Sequence, residues 1–176
     1  NGRSQTGVAD PGAGALYEVS DNTGVDAKGY TATATLTGEA FANHCWLGQD
    51  EDEPSVEIPW SIGKRSVQTP TINTSVRSFS YNGKDQQLVT LPSSEIFEYK
   101  MEGTTIQGVF KGTEIVAFTI EGGRAKDAGN YTASARLTDN NYYWVGAGAP
   151  SGGGLELTFT NPDWVITPAE LNLPAW

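Results

Sequence analysis

The chain has 176 residues, which suits one large domain or two modules of about 100 residues or fewer. Apolar residues make up 38%, enough for packed cores, while 11 Lys+Arg against 21 Asp+Glu (net charge -10) exclude the basic footprint that nucleic acid requires. With Cys45 as sole cysteine and His44 as sole histidine, there is no intrachain disulfide and too few ligands for structural zinc; no run of about 18 apolar residues exists to insert in a membrane.

In chain order, the first expected strand is Tyr30 to Leu36. Tyr30, Ala32, Ala34 and Leu36 share one face, and Thr31, Thr33 and Thr35 the other. His44-Cys45 is expected on a strand, where neighbours point to opposite faces and Cys45 packs as a buried, inert thiol. The acidic run Gln49–Glu53 lacks the spacing of a calcium loop and reads as a solvated connection. Val56, Ile58 and Trp60 alternate with Glu57 and Pro59, and Pro59 marks an edge or bulged strand. Ser75 to Tyr81 reads as a strand leading to a hairpin turn at Asn82-Gly83. Further strands are expected at Ile115–Ile120, Tyr131–Leu137 and Leu155–Phe159. No segment carries a helical period with caps, so the fold class is all-β.

An internal repeat runs through these elements. Asp26-Ala27-Lys28-Gly29-Tyr30-Thr31-Ala32 matches Asp127-Ala128-Gly129-Asn130-Tyr131-Thr132-Ala133. Cys45-Trp46 matches Tyr143-Trp144, and Trp60-Ser61-Ile62 matches Trp164-Val165-Ile166. Ile62 to Pro70 and Ile166 to Pro174 share one spacing, and Asn1-Gly2-Arg3-Ser4-Gln5 resembles Asn82-Gly83-Lys84-Asp85-Gln86. The domains expected are residues 1–66, lacking a first strand, and 67–176, with an insertion around 100–122 and a C-terminal linker.

Asp127-Ala128-Gly129-Asn130-Tyr131 resembles the Asp-x-Gly-x-Tyr signature of immunoglobulin-like domains; the first copy departs by one position. The resemblance implies tandem immunoglobulin-like antiparallel β-sandwiches, with Tyr30 and Tyr131 as corner tyrosines whose hydroxyls bond back to the backbone. Ala32 and Ala133 stand where antibody domains place a cysteine, so no inter-sheet disulfide is implied. The wider pattern is similar to bacterial and phage surface repeats. That implies a non-enzymatic structural or adhesion module, at the cell surface or on a virion, with neighbouring repeats or subunits as partners. A strand-exchanging fibre subunit and a carbohydrate-binding accessory domain are the alternatives.

No catalytic, metal or cofactor residue is expected. Glu95, Glu98, Glu102 and Glu114 could converge as paired acids, but nothing marks a cleft. The candidate contact for a glycan or protein partner is Asn141, Tyr142 and Tyr143, beside the flexible Gly146–Gly154 loop. Trp144 is expected in the core and Tyr142 at the surface.

Overall fold

Gly, Pro and β-branched residues interrupt every potential helix, and the computed structural model is accordingly almost wholly β. It describes residues 2–72, 77–89, 91–159 and 164–171. The chain divides into two compact units, Asn1–Arg65 and Ser66–Trp176.

Unit 1 holds β1 (Gln5–Thr6), β2 (Tyr17–Ser20), β3 (Thr23–Gly24), β4 (Gly29–Leu36), the single turn of helix α1 (Gly38–Phe41) and β5 (Ser55–Ser61). Its main sheet is antiparallel in the order β2-β4-β5, with β1 paired to β3. The threonine face of β4 looks outward and its alanine face inward, because alternate side chains leave a strand on opposite sides. Pro59, which lacks an N–H, lies on the edge strand β5.

The strand β6 (Arg65–Gln68) leads into unit 2. There follow β7 (Ser78–Ser80), β8 (Gln86–Gln87), β9 (Phe97–Glu102), β10 (Thr105–Phe110), β11 (Val116–Glu121), β12 (Arg124–Ala125), β13 (Gly129–Tyr131), β14 (Ser134–Leu137), β15 (Tyr142–Val145), β16 (Glu156–Thr158) and β17 (Trp164–Thr167). The largest sheet runs β16-β14-β11-β10-β9; smaller ones are β13-β17-β7, β12-β8 and β15-β6. One core fills this unit. Phe118 lies at its centre, 5.2 Å from the Phe97 ring and 5.4 Å from that of Trp144, with Leu88, Ile106, Ile120, Leu137 and Trp164 also fully buried.

The two units make the same pairings. Tyr17 faces Leu36 and Val19 faces Ala34; Phe118 faces Leu137 and Ile120 faces Ala135. Gln5 faces Gly24, and Gln86 faces Ala125. Tyr30 faces Trp60, and Tyr131 faces Trp164. The Trp46 indole donates to Pro54 O at 2.9 Å, and that of Trp144 to Leu155 O at 2.8 Å. Even the residue ending the strand before the corner agrees: Asp21 and Gly122 both have positive φ.

One expectation changes. The Asn82-Gly83 turn does not close a hairpin, because β7 pairs in parallel with β17 and β8 pairs with β12; the turn carries the chain from one sheet to another. Ser75 and Val76 of the expected strand lie outside the described residues. The hairpin β9–β10 overlaps the start of the expected insertion around 100–122. The hairpin β9–β10 has no counterpart in unit 1, whereas β11, inside the expected insertion, pairs as β2 does.

Candidate functional site

Alternation decides which aromatic side chains of β15 can meet a partner. Tyr142 and Trp144 are two residues apart, hence on one face, and both are buried (3% and 5% exposed). Tyr142 is therefore a core residue, contrary to the surface position expected of it. Burial of Trp144 carries it inward, against Phe110 at 5.7 Å between ring centroids. Tyr143 points the other way and is 39% exposed. Asn141 is half-buried, and its N–H donates to Asp139 Oδ1 at 2.7 Å.

The glycine loop beyond β15 is moored at its start. Thr69 N–H donates to Val145 O at 2.8 Å and Thr69 Oγ1 to Ala147 O at 2.9 Å. Gly146 has φ +106, and a Cβ there would come within 2.1 Å of Gln68 Nε2, so only glycine lets the loop lie this close. Residues 151–154 at the tip are exposed.

Gln68 and Thr69 also open a groove of about 220 Å³ that the sequence reading missed. Pro70, Pro92, Glu95, Ile96 and Tyr99 line it further along. Ser94 Oγ shapes its floor by accepting the N–H groups of Ile96 and Phe97, each at 3.1 Å. Burial raises the Tyr99 phenol above its ordinary value of 10.0, and a hydrogen bond with Ser94 pulls the other way. Ile96 is 50% exposed, an apolar side chain held at the lip. A groove with apolar lining and a few hydroxyls suits a neutral, extended ligand better than a charged one. Its signal in the sequence was weak, because Pro70 and Pro92 lie far apart in the chain.

The other candidate acids do not converge. Glu98 and Glu102 leave β9 on the face opposite Phe97 and Tyr99; Glu102 accepts from Gln107, and Glu114 pairs with Lys100 at 3.2 Å. The residues Gln49–Glu53 are exposed throughout. Among the described residues, no group of three His, Cys, Asp or Glu side chains could hold a metal ion.

Cys45 is exposed, not buried, and His44-Cys45 lies in a loop rather than on a strand. The segment corresponds to β15 but pairs with no strand among the described residues; Trp46 still turns inward onto Tyr17 at 5.4 Å between ring centroids, while Cys45 faces out as Tyr143 does. His44 Nδ1 contacts Ala40 O at 3.0 Å, and a recess of about 280 Å³ is lined by Phe41, Asn43, His44, Cys45 and Glu51.

Both corner tyrosines bond backwards as the resemblance implies. Tyr131 Oη donates to Asp127 O at 2.7 Å, and Tyr30 Oη donates to Asp26 O at 2.9 Å. Tyr30 Oη also accepts the Asp26 N–H at 3.0 Å, and its ring stacks on Trp60 at 4.5 Å. These residues hold turns rather than ligands. No protein family, curated protein or solved structure matches the chain.

Proposed function

We propose that the chain is a non-enzymatic structural and adhesion module of an extracellular surface, built from two tandem immunoglobulin-like β units. The repeated register carries this reading. Two segments of different sequence make the same strand pairings, the same back-bonded tyrosine and the same tryptophan tether, which is what a duplicated module conserves physically. One feature differs from the immunoglobulin order. There the strands flanking the corner lie in different sheets, whereas β11 and β14 are hydrogen-bonded neighbours.

The partner-facing surface of unit 2 in this reading is Tyr143 with the moored glycine loop and the Tyr99 groove. Rigid mooring beside an exposed aromatic lowers the ordering cost of contact with a glycan or a protein loop. No helix among the described residues is long and apolar enough to cross a membrane. The test is a glycan and surface-protein array probed with the whole chain and with Tyr143→Ala. Binding that falls about ten-fold or more in the variant supports the reading. Binding unaffected by Tyr143→Ala removes this face as the contact, and hydrolysis of any arrayed glycan removes the non-enzymatic assignment.

A further inference from the structure

The largest sheet of unit 2 ends on an open strand. β9 (Phe97–Glu102) is its outermost member, and no strand among the described residues pairs with its free side. Outer strands offer unpaired N–H and C=O groups to any chain that can align with them, so they are ordinarily short, bulged or interrupted by proline. The other outer strands described here follow that rule: each has four residues or fewer, except β5, which carries Pro59. β9 has six residues, no proline and an unbroken register against β10. Met101 on it is 44% exposed.

Two backbone bonds fix which groups face outward. Ile96 O accepts the Lys111 N–H at 2.9 Å, and the Phe110 N–H turns away to Ile115 O at 3.0 Å, so Phe97 and Phe110 are a non-hydrogen-bonded pair. Bonding alternates along an antiparallel ladder. Glu98, Lys100 and Glu102 therefore bond to β10, while Phe97, Tyr99 and Met101 aim their N–H and C=O groups at the free side. Ser94 Oγ takes the Phe97 N–H. The N–H groups of Tyr99 and Met101 and the carbonyls of all three are left for an incoming strand. The solvent face of β9 carries charges of alternating sign, Glu98, Lys100 and Glu102. Lys100 pairs with Glu114 at 3.2 Å but stays 44% exposed, and Glu98 has no ion-pair partner among the described residues.

We propose that β9 of one copy of this chain pairs antiparallel with β9 of a second copy, centred on Tyr99. Charge selects both the partner and the register. With Tyr99 opposite Tyr99, Glu98 of each copy faces Lys100 of the other, and Phe97 faces Met101. Centring the pair on Lys100 instead sets Lys100 against Lys100 and Glu98 against Glu102, like charges directly opposed. Centring it on Met101 runs the strand into its own turn, where Gly103 has φ +59. The Tyr99 register also closes reciprocal bonds between the two tyrosine backbones, and one from each Met101 N–H to the facing Phe97 O. The same patch serves both copies, so the contact closes as a two-fold dimer with one continuous ten-stranded sheet, five strands from each copy. This inference stands apart from the surface role proposed above.

Sedimentation velocity under reducing conditions tests this on the whole chain, over about 1 to 300 μM because a contact this small is weak. The wild type is expected to approach a dimer as concentration rises and to go no further. Glu98→Lys and Lys100→Glu alter exposed side chains, so neither disturbs the fold. Each alone sets like charges across both cross-strand pairs and raises the dimer Kd about ten-fold or more. An equal mixture of the two variants restores opposite charges across both pairs and associates again. Amide hydrogen exchange reads the register: Tyr99 and Met101 slow as the dimer forms. A wild type that stays monomeric over the range overturns the proposal. So do growth beyond a dimer, single variants that pair as well as wild type, a mixture that fails to pair, or Tyr99 and Met101 amides whose exchange is unchanged by concentration.

Discussion

A few residues carry constraints out of proportion to their size. Tyr131 fixes the corner of unit 2 through one hydroxyl bond. Tyr131→Phe is expected to lower stability by about 0.5–1.5 kcal/mol, read from the urea midpoint, with no change of fold. Asp21 is the only non-glycine residue with positive φ among those described, at 53°, and it occupies the place of Gly122 at 72°. Asp21→Gly relieves that backbone strain and should leave unit 1 as stable or up to about 1 kcal/mol more stable. Gly122→Ala goes the other way. Its Cβ would lie 2.0 Å from Thr132 O, a backbone atom that cannot swing aside, so a loss of about 2 kcal/mol or more is expected by thermal denaturation. Tyr99 links the groove to pH. Its pKa is raised in the folded state by burial, so on raising the pH the unfolded chain ionises first, above its ordinary value of 10.0. The stability Tyr99 contributes is thus complete below that pH and lost as the pH climbs toward the folded value. Denaturation midpoints on either side of pH 10.0 should fall less in Tyr99→Phe than in wild type.

At the scale of elements, a strand's exposure follows from what lies beside it more than from its own letters. β4 and β14 are central in their sheets, and their inward alanines are at most 3% exposed. Small residues suit these positions because large neighbours on the flanking strands close over them. Phe118 on β11 is such a neighbour. Phe118→Ala should cost about 3–5 kcal/mol, while its counterpart change Tyr17→Ala, at a half-buried site, should cost clearly less. Chemical denaturation of the two variants side by side checks the ranking. The cross-strand pair Arg136–Glu156 bridges β14 and β16 at 3.0 Å, but both side chains are more than half exposed. Arg136→Ala should therefore change stability by no more than about 0.5 kcal/mol.

For the molecule as a whole, the unequal cores predict unequal stability. Unit 2 closes a single cluster from Val67 to Ile166, whereas unit 1 buries little beyond three alanines and Leu36. Apolar burial is the main term opposing chain entropy, so unit 1 should unfold at lower denaturant than unit 2. Trp46 and Trp60 report on unit 1 and Trp144 and Trp164 on unit 2, so fluorescence of Trp46→Phe and Trp60→Phe variants assigns each transition. A single concerted loss of all tryptophan signals would contradict the division. The all-β class, the strands Tyr30–Leu36 and Tyr131–Leu137, the edge position of Pro59 and both corner tyrosines were legible in the letters, because period-two alternation, missing N–H groups and short turn motifs are local physics. The exposure of Cys45, the burial of Tyr142, the parallel pairing of β7 with β17 and the Tyr99 groove were not. The burial of Tyr142, the parallel pairing and the groove depend on which distant segment arrives alongside: Phe110 of β10 packs against Tyr142 at 5.7 Å, whereas Cys45 stands in the place of outward-facing Tyr143 and stays in water. The chain's own pattern states which face of a strand is apolar; only the assembled sheets decide whether that face finds cover.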